Sequence, residues 1–466
     1  MTQLSTPNPD GAAVARPAPR DTAGAGPILS RLFEMLDRTG IHYCLTHGYE
    51  GYPHQIPSDV DLVVPAEVSP RRLVELLHQE RDALGAQVVQ RLDGETCYMV
   101  LAGQGDDGSP CFVPLDVGTD CDVRKRFFYS GREILGHRRR QGGFWVPPPD
   151  LEFGSYLIRK VAKGRLEDDH GRRLSELFSR DPEGCRRQVG RFWDFDEAGP
   201  LLAAAEAGDW RGVRKDLQRL RGRLLRRATL RHPVRVLLNW AVATSRRVGR
   251  WCGPSHGLSV VFLGPDGAGK SSVVRSVASR WAPAFSRTAC LSFPPGLRRR
   301  GPEVTCKTPH DVPPRSSAMS VLRALLYWFA YCGPGYYATV RPALARLTLV
   351  LHDRHLVDTL VDPRRYRYTG PPWVLRLIWR LIPKPDLVIL LDAPAEVIRS
   401  RKEEVSLEET ERQCAAYRSL VGAMPNGHVV DASRPMNRVA ADVDDLILRF
   451  LVARNVRGRS SPGPGE

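Results

Sequence analysis

The residues from Gly264 to Ser272, GPDGAGKSS, have the types and the spacing that bind nucleotide phosphates. They follow an apolar run, 258–263, that is typical of a buried parallel strand, and they precede a segment with helical character, 273–278. The glycines allow backbone N–H groups to converge on phosphate oxygens, and the following helix presents its positive end to them. The pattern therefore predicts a phosphate-binding loop, with Lys270 at the β- and γ-phosphates and Ser271 on Mg²⁺.

The nucleotide-binding prediction covers most of this loop. The competing interpretation is a chance glycine-rich turn between a strand and a helix. The spacing, the Lys-Ser pair and the strand-loop-helix context together favour the phosphate site. The predicted nucleotide-binding residues are Gly264, Asp266, Gly267, Ala268, Gly269, Lys270, Ser271 and Ser272.

A second set of residues that could do chemistry lies in the N-terminal half. The tripeptide 47–49 (HGY) is followed by a strand-like run, 58–64 (SDVDLVV). Strand side chains alternate, so Asp59 and Asp61 point the same way, and Asp116 in a later strand-like run offers a third carboxylate. Three converging carboxylates can hold Mg²⁺ for in-line attack on a nucleotide α-phosphate. The alternative is that Asp59 and Asp61 only end a strand at the surface.

The elements after the phosphate-binding loop alternate between strand and helix, which predicts a parallel sheet with helices on both faces. One apolar run, 347–352, is followed directly by Asp353 and Arg354. These two side chains would lie at the carboxyl edge of the sheet, where such folds bind ligands. Asp353 could orient the metal or the acceptor, and Arg354 could clamp an anionic group.

A later helix contributes a further group of cations. It follows the strand-like run 386–392 and carries Arg399, Arg401 and Lys402. In that place the two arginines would act as a lid over the transferring phosphoryl group. The alternative is a charged helix face that touches only solvent.

Taken together, the C-terminal motifs resemble the thymidylate kinase family of P-loop kinases. The resemblance spans about residues 257–454 and includes the loop GPDGAGKSS, the Asp353-Arg354 pair, the segment 383–394 (PKPDLVILLDAP) and the arginine-bearing helix. It implies an α/β P-loop kinase fold, ATP with Mg²⁺ as cofactors, and phosphoryl transfer to a small-molecule acceptor. By motif position, Asp266 and Arg354 would face that acceptor.

Two elements depart from the pattern of that family. Its Arg-Glu-Pro element is replaced by 292–296 (SFPPG), and its base-contacting Ser-x-x-Ala-Tyr-Gln element by 358–370 (DTLVDPRRYRYTG). These departures point away from dTMP as the acceptor. We therefore expect phosphorylation of a small metabolite, a nucleoside monophosphate or a sugar-type acceptor.

The N-terminal half, about residues 28–195, resembles the nucleotidyltransferase superfamily. The resemblance implies an α+β domain with Mg²⁺ on Asp59, Asp61 and Asp116, and it makes Lys160 a candidate contact for a triphosphate, with a solvated lysine as the alternative. The family has a small residue after the glycine, where this chain has Tyr49. Active transfer and a degenerate domain that only binds a ligand both remain open on this evidence.

The net charge of +16 is concentrated in one segment. Residues 211–250 contain 13 basic residues and one acidic residue, which accounts for +12. This pattern indicates a connector or an anionic docking surface, such as a membrane with anionic lipids, or else a helix that packs on the kinase domain. It lacks the interleaved aromatic residues of single-strand binders, so we expect no nucleic-acid partner.

The same patterns predict the domain boundaries. The chain has no run of about 18 apolar residues and no apolar core near its N-terminus, so we expect a cytoplasmic protein of unspecified oligomeric state. The predicted segments are a disordered 1–27, a nucleotidyltransferase-like domain 28–208, a basic helical linker 209–254, a kinase domain 255–455 and a disordered tail 456–466.

The leading hypothesis for function is an ATP- and Mg²⁺-dependent kinase with an appended nucleotidyltransferase-like domain. The alternative is an ATP-binding regulatory or scaffold protein with a degenerate transferase domain. By analogy with chains that pair two such domains, either protein could serve surface-polysaccharide synthesis.

Overall fold

The computed structural model describes residues 13–15, 24–105, 108–253, 255–291, 315–329, 333–403 and 405–457. The chain divides into two compact units. The N-terminal unit contains Asp21–Gly249 with Asn455–Glu466, and the C-terminal unit contains Arg250–Arg454 with Met1–Arg20. None of the described helices combines the length and the apolar character that crossing a membrane requires.

The first strand, β1 (Ala13–Ala15), belongs to the C-terminal unit. It lies within residues 1–27, which the sequence predicts to be disordered, so the structure differs from that prediction here. The difference arises because β1 satisfies backbone groups at the edge of a sheet, which a short extended segment can do whatever its composition. Helix α1 (Gly26–Arg38) also begins inside the predicted segment.

The N-terminal unit contains further short strands. They are β2 (Cys44–Leu45), β3 (Val60–Val63), β4 (Ala86–Asp93), β5 (Cys97–Gln104), β6 (Pro110–Gly118), β7 (Asp120–Val123), β8 (Arg126–Ser130), β9 (Arg139–Gln141) and β10 (Phe144–Val146). Five of them form the main sheet in the order β2-β3-β6-β5-β4. The β3 and β6 strands run parallel and set Asp61 opposite Asp116, whereas the other neighbours are antiparallel.

The helices of this unit form two groups. After α1 they are α2 (Pro70–Gln79), α3 (Arg81–Leu84), α4 (Gly131–Gly136), α5 (Pro149–Lys163), α6 (Asp168–Arg180), α7 (Pro182–Phe192), α8 (Phe195–Ala207), α9 (Arg211–Lys215), α10 (Leu217–Arg231) and α11 (Pro233–Cys252). Helices α1, α2 and α3 pack on the main sheet, whereas α5 to α10 form a second core with the β7–β8 hairpin.

The basic segment is built differently from a free linker. The α10 leucines Leu217, Leu220 and Leu224 are buried in the second core of the N-terminal unit. The arginines of the same helix reach acidic partners, because Arg223 and Arg227 both contact the buried Glu197. Part of the positive charge in residues 211–250 is therefore used inside the unit.

The C-terminal unit alternates strands and helices. Its remaining elements are β11 (Leu258–Leu263), α12 (Lys270–Trp281), β12 (Arg287–Leu291), α13 (Ser317–Tyr327), α14 (Arg341–Ala345), β13 (Thr348–His352), α15 (Asp358–Val361), α16 (Pro372–Leu381), β14 (Leu387–Asp392), α17 (Ala395–Arg401), α18 (Leu407–Gly422), β15 (Gly427–Asp431) and α19 (Met436–Arg457). Helix α19 extends just past the start of the predicted tail, whose other residues, 458–466, lie outside the described part.

The sheet of this unit has the order β1-β12-β13-β11-β14-β15. All its neighbouring strands are parallel except the β1–β12 pair at the edge. Every residue of β11 is buried, which explains its unbroken apolar sequence. The strands that follow β11 lie on both sides of it, so the crevice at its carboxyl end is the place where a ligand is expected.

Candidate functional site

The loop between β11 and α12 has the backbone that its glycines allow. Gly264, Gly267 and Gly269 have φ values of 142°, 95° and 88°, which side-chain-bearing residues rarely adopt. A Cβ atom on Gly264 would lie 2.7 Å from the carbonyl oxygen of Leu391, and one on Gly267 would lie 2.7 Å from that of Ile398. The loop is thus held tightly between the carboxyl end of β14 and the helix that follows it.

Lys270 is the first residue of α12 and is only 8% exposed. Its ammonium donates to the carbonyl oxygens of Gly264 at 2.7 Å and Pro265 at 2.9 Å. Burial lowers the pKa of Lys270, although neighbouring carboxylates oppose that effect. The cation therefore lies inside the loop, where an arriving phosphate oxygen could replace a carbonyl partner.

Backbone hydrogen bonds also stabilise the loop itself. The N–H of Ala268 donates to the carbonyl oxygen of Pro265 at 3.2 Å, and the N–H of Ser272 to that of Gly269 at 3.1 Å. These two bonds close the loop on either side of Gly269. The N-terminus of α12 is thereby directed at the position where the phosphate group is expected.

Ser271 and Asp353 form an oxygen pair beside the loop. The Ser271 hydroxyl donates to Asp353 Oδ2 at 2.8 Å. Asp353 Oδ1 is buried and has no hydrogen-bond partner among the described residues. A hydroxyl and a carboxylate with a spare oxygen are the ligand types that Mg²⁺ prefers, so these two residues fit the magnesium ion that accompanies ATP.

Asp266 lies at the centre of a set of positive side chains, which we call the Asp266 cluster. Its carboxylate accepts from Arg354 at 3.2 and 3.3 Å, forms an ion pair with Arg365, and lies 3.4 Å from Lys270 and 4.0 Å from Lys402. The Asp266 side chain is only 12% exposed. Burial by itself would lower the pKa of Arg354, but the Asp266 carboxylate outweighs it and raises that pKa.

The Asp266 cluster brings four cations to one carboxylate. Two further acids line the same small cleft, which leaves a surplus of one positive charge, and each of them also accepts a hydrogen bond. Asp358 accepts from the Tyr417 hydroxyl at 2.7 Å, and Asp362 accepts from Gln413 at 3.3 Å. Burial raises the pKa of Asp358, whereas its hydrogen bonds and the charges of Lys270 and Arg354 oppose that effect. The arrangement suits an anion placed beside the phosphate-binding loop.

The two predicted lid arginines are not directed at this cleft. Arg401 donates to the carbonyl oxygen of Ala432 at 2.9 Å, and Arg399 lies 3.5 Å from Glu403. The cation from this helix end that reaches the loop is Lys402, which approaches Asp266. The prediction for Arg399 and Arg401 therefore differs from the structure, because the Ala432 carbonyl engages Arg401 and Arg399 lies beside Glu403.

The sequence predictions on residues 292–296 lie outside the described residues. The sequence indicates Lys402 as one of the basic residues near the predicted lid, but it does not single out Arg365 as a site residue. The signal that could have found Arg365 is its place in the run 358–370, directly after the strand end that carries Arg354.

The N-terminal unit has a larger cavity of about 570 Å³. The cavity collects the three predicted carboxylates together with the candidate lysine. Its lining residues are His47, Gly48, Glu50, Ser58, Asp59, Asp61, Asp116, Tyr156, Arg159, Lys160, Lys163, Asp169, Arg172, Arg173 and Glu176. A cavity of this size falls within the range that holds a nucleotide-sized ligand.

The carboxylates of this cavity do not form a metal-ligand set. Among the described residues, no group of three or more His, Cys, Asp or Glu side chains is placed to hold a metal ion. Instead the guanidinium of Arg159 lies 3.1 Å from Asp61 Oδ1, and His47 Nε2 lies 3.5 Å from Asp61 Oδ2. The predicted metal site of Asp59, Asp61 and Asp116 thus differs from the structure, because a buried cation compensates Asp61.

One oxygen of the Asp116 carboxylate is placed to accept a positively charged ligand. Its Oδ1 is buried and has no hydrogen-bond partner among the described side chains and backbone groups. Burial is the main cause that raises the pKa of Asp116, and the neighbouring Asp61 adds to it. The sequence does not single out Arg159 as a site residue. The feature that indicates it is its position next to Lys160 on the same helix.

Tyr49 does not obstruct the cavity. It is 1% exposed and its hydroxyl donates to the buried carboxylate of Glu152, with Phe144 packed edge-on to the ring. Glu152 in turn accepts from Arg173 at 2.6 Å. The residue that the sequence placed against a nucleotide therefore points into the core and leaves Gly48 at the cavity wall.

Comparison with known proteins supports the C-terminal site. The family model described as thymidylate kinase matches residues 262–443. The chain is 33% identical over 205 residues to a thymidylate kinase of Leifsonia xyli subsp. xyli, covering 40% of this chain and 92% of that protein. It is 29% identical over 208 residues to one of Xanthomonas campestris pv. campestris, covering 42% and 86%. It is 28% identical over 210 residues to one of Lacticaseibacillus casei, covering 41% and 96%.

The tight packing of the loop gives a first prediction. Gly267→Ala forces a side chain into a left-handed backbone and against the carbonyl oxygen of Ile398. Strain of this kind costs about 1–3 kcal/mol. We expect the dissociation constant for ATP to rise about tenfold or more in isothermal titration calorimetry. Gly422→Ala is the matched control, since its Cβ meets open space. Equal ATP affinity in the two variants would contradict the described loop geometry.

Proposed function

The chain belongs to the thymidylate kinase family, and we propose that its C-terminal unit transfers the γ-phosphate of ATP to a small acceptor that already carries a phosphate group. The observation that carries this proposal is the Asp266 cluster, in which Lys270, Arg354, Arg365 and Lys402 surround one carboxylate beside the phosphate-binding loop. The surplus positive charge attracts the acceptor phosphate and stabilises the charge of the transferring group.

Thymidylate kinases use ATP and Mg²⁺, and the described residues fit both. Lys270 and the loop amides would bind the β- and γ-phosphates, while Ser271 and Asp353 would hold the metal ion. An oxygen of the acceptor phosphate then attacks the γ-phosphorus, the bond to the β-phosphate oxygen breaks, and ADP leaves. The side chains do no covalent chemistry in this scheme, because positioning and charge stabilisation supply the rate.

The acceptor class is the finer part of the proposal. Arg365 and Tyr366, which line the acceptor cleft, come from the run 358–370 that departs from the pattern of the family. Tyr366 is held there by its neighbour Arg315, which donates to its carbonyl oxygen at 3.4 Å. We infer that the acceptor is a sugar phosphate or a nucleoside monophosphate other than dTMP. The cleft offers Arg354 and Arg365 for its phosphate, while residues from the run that departs from the family pattern surround the rest of the acceptor.

A variant of Lys270 tests the kinase function. Lys270→Ala removes the cation that meets the β- and γ-phosphates, so we expect ADP formation in the presence of an acceptor to fall by about 10²–10³-fold or more. Arg275→Ala on the exposed side of the same helix is the control for losing a positive charge. Acceptor-dependent turnover that persists in Lys270→Ala would refute the proposal. ATP binding without turnover on any acceptor would favour the regulatory or scaffold alternative.

We further infer that the N-terminal unit, within residues 28–208, is a nucleotidyltransferase-like domain. Three observations support this second function: the parallel β3–β6 pair with Asp61 opposite Asp116, the cavity of about 570 Å³, and the position of Tyr49 in the core. Lys160 and Lys163 would bind the phosphates of a nucleotide. A metal ion at the carboxylates would require Arg159 to release Asp61, and the binding energy of the ion with its nucleotide would have to supply that change.

The titration of Lys160 gives a test of this second site. Burial, followed by the charge of Lys163, lowers the pKa of Lys160 to about 8. The lysine is therefore cationic below that pH and loses its charge as the pH rises through it. We expect nucleoside triphosphate affinity at this cavity to fall about tenfold between about pH 7.5 and pH 9.5.

The measurement is isothermal titration calorimetry with Mg²⁺ and each nucleoside triphosphate, in the Lys270→Ala background so that the kinase site contributes least. Lys160→Arg keeps its charge over this range and should bind with a nearly constant affinity. An equal pH dependence in both proteins would show that Lys160 does not contact the phosphates.

A further inference from the structure

Helix α11 packs on the N-terminal unit through its polar side. The guanidinium of Arg235 lies 2.7 Å from Asp120 Oδ2 and 3.2 Å from Asp122 Oδ1. The Asn239 side chain donates at 3.2 Å to a backbone carbonyl in the turn of the β7–β8 hairpin, and Val236 beside it is buried. The contacts that hold α11 in place are thus made mainly by polar groups.

The opposite side of α11 is apolar and exposed. We call it the outer face, and its residues are between 45% and 69% exposed. They are Val234, Leu237, Leu238, Trp240, Val242 and Val248. A surface helix normally turns its apolar side to the core and its charges to water, so this orientation is reversed. A contiguous apolar face of this kind marks a site of interaction with a protein or a membrane.

The charge around the outer face identifies the occupant. Residues 211–250 carry 13 basic residues against one acidic residue. Arg235, Arg223 and Arg227 are paired within the unit, and Arg246 donates to the carbonyl oxygen of Gly94. Arg247 remains exposed, and the Lys125 ammonium lies 3.6 Å from the ring centre of Trp240 at the edge of the outer face. Long arginine side chains at the border of an apolar helix face can extend to lipid phosphates while their stems stay in contact with apolar groups.

The dimensions fit a helix that lies in the plane of a membrane surface. From Val234 to Val248 the outer face extends over about 21 Å at 1.5 Å per residue. Trp240 provides the amphipathic ring that is favoured at the boundary between headgroups and acyl chains. Since no described helix can span a bilayer, the contact is peripheral.

We propose that α11 docks this chain on the surface of a bilayer that contains anionic lipids. The outer face enters the boundary of the acyl chains, and the neighbouring cations Lys125 and Arg247 bind the headgroup phosphates. This docking holds the chain at the surface of the membrane. It depends neither on the identity of the acceptor nor on the activity of the N-terminal unit.

The test is sedimentation of the full chain with vesicles of phosphatidylcholine, with and without phosphatidylglycerol. We expect binding to the anionic vesicles, and at least tenfold weaker binding in the Leu237→Glu/Leu238→Glu variant. Raising the salt to about 1 M, where charges are screened within about 3 Å, should also weaken it. Phe195→Glu is the matched control, since Phe195 is 91% exposed and lies on a different helix, α8.

Three results would overturn the proposal. The first is no sedimentation with either vesicle, and the second is binding that the double variant leaves unchanged. The third is self-association in light scattering that the double variant abolishes while vesicles have no effect, which would make a second copy of this chain the occupant. Because both substituted leucines are exposed, ADP formation should stay at the level of the unmodified protein and report that the variant is folded.

Discussion

The compensation of one buried carboxylate organises the kinase site. Asp266 is largely enclosed, and a charge in such a place must be paired. The cations that pair with it come from different parts of the unit: Lys270 from the loop helix, Arg354 from the end of β13, and Arg365 and Lys402 from later segments. Asp266 therefore gathers, around the phosphate-binding loop, the positive groups that phosphoryl transfer needs. Their total charge exceeds that of Asp266, Asp358 and Asp362 by one, so the site remains able to take up an anion.

The N-terminal unit uses the same kind of constraint in another way. Asp61 is paired with Arg159, and Glu152 is paired with Arg173 and Tyr49. The Glu152 network holds Tyr49 in the core and so leaves the cavity open. The Asp61 pair opposes metal binding, because a guanidinium lies where a cation would be attracted. A cationic ligand of this cavity must therefore bind strongly enough to displace Arg159 from Asp61.

Those parts of the site whose backbone is determined by residues close together in the sequence could be predicted. The loop from Gly264 to Ser272 and the strand end at Asp353 and Arg354 follow from local patterns, since glycines and apolar runs specify the backbone there. The role of Tyr49 could not be predicted in this way. Tyr49 points inward because its partner Glu152 lies 103 residues further along the chain. The reversed orientation of α11 likewise depends on Asp120 and Asp122, which no pattern within the helix reveals.

The most direct measurement is ADP formation by the full chain with ATP and Mg²⁺ over a panel of acceptors. The panel contains nucleoside monophosphates including dTMP, sugar phosphates, and the corresponding nucleosides and sugars without phosphate. The account predicts turnover with at least one phosphate-bearing acceptor and none with its unphosphorylated counterpart, because Arg354 and Arg365 require an anion. Turnover with an unphosphorylated acceptor, or ATP hydrolysis that no acceptor stimulates, would contradict the central role of the Asp266 cluster.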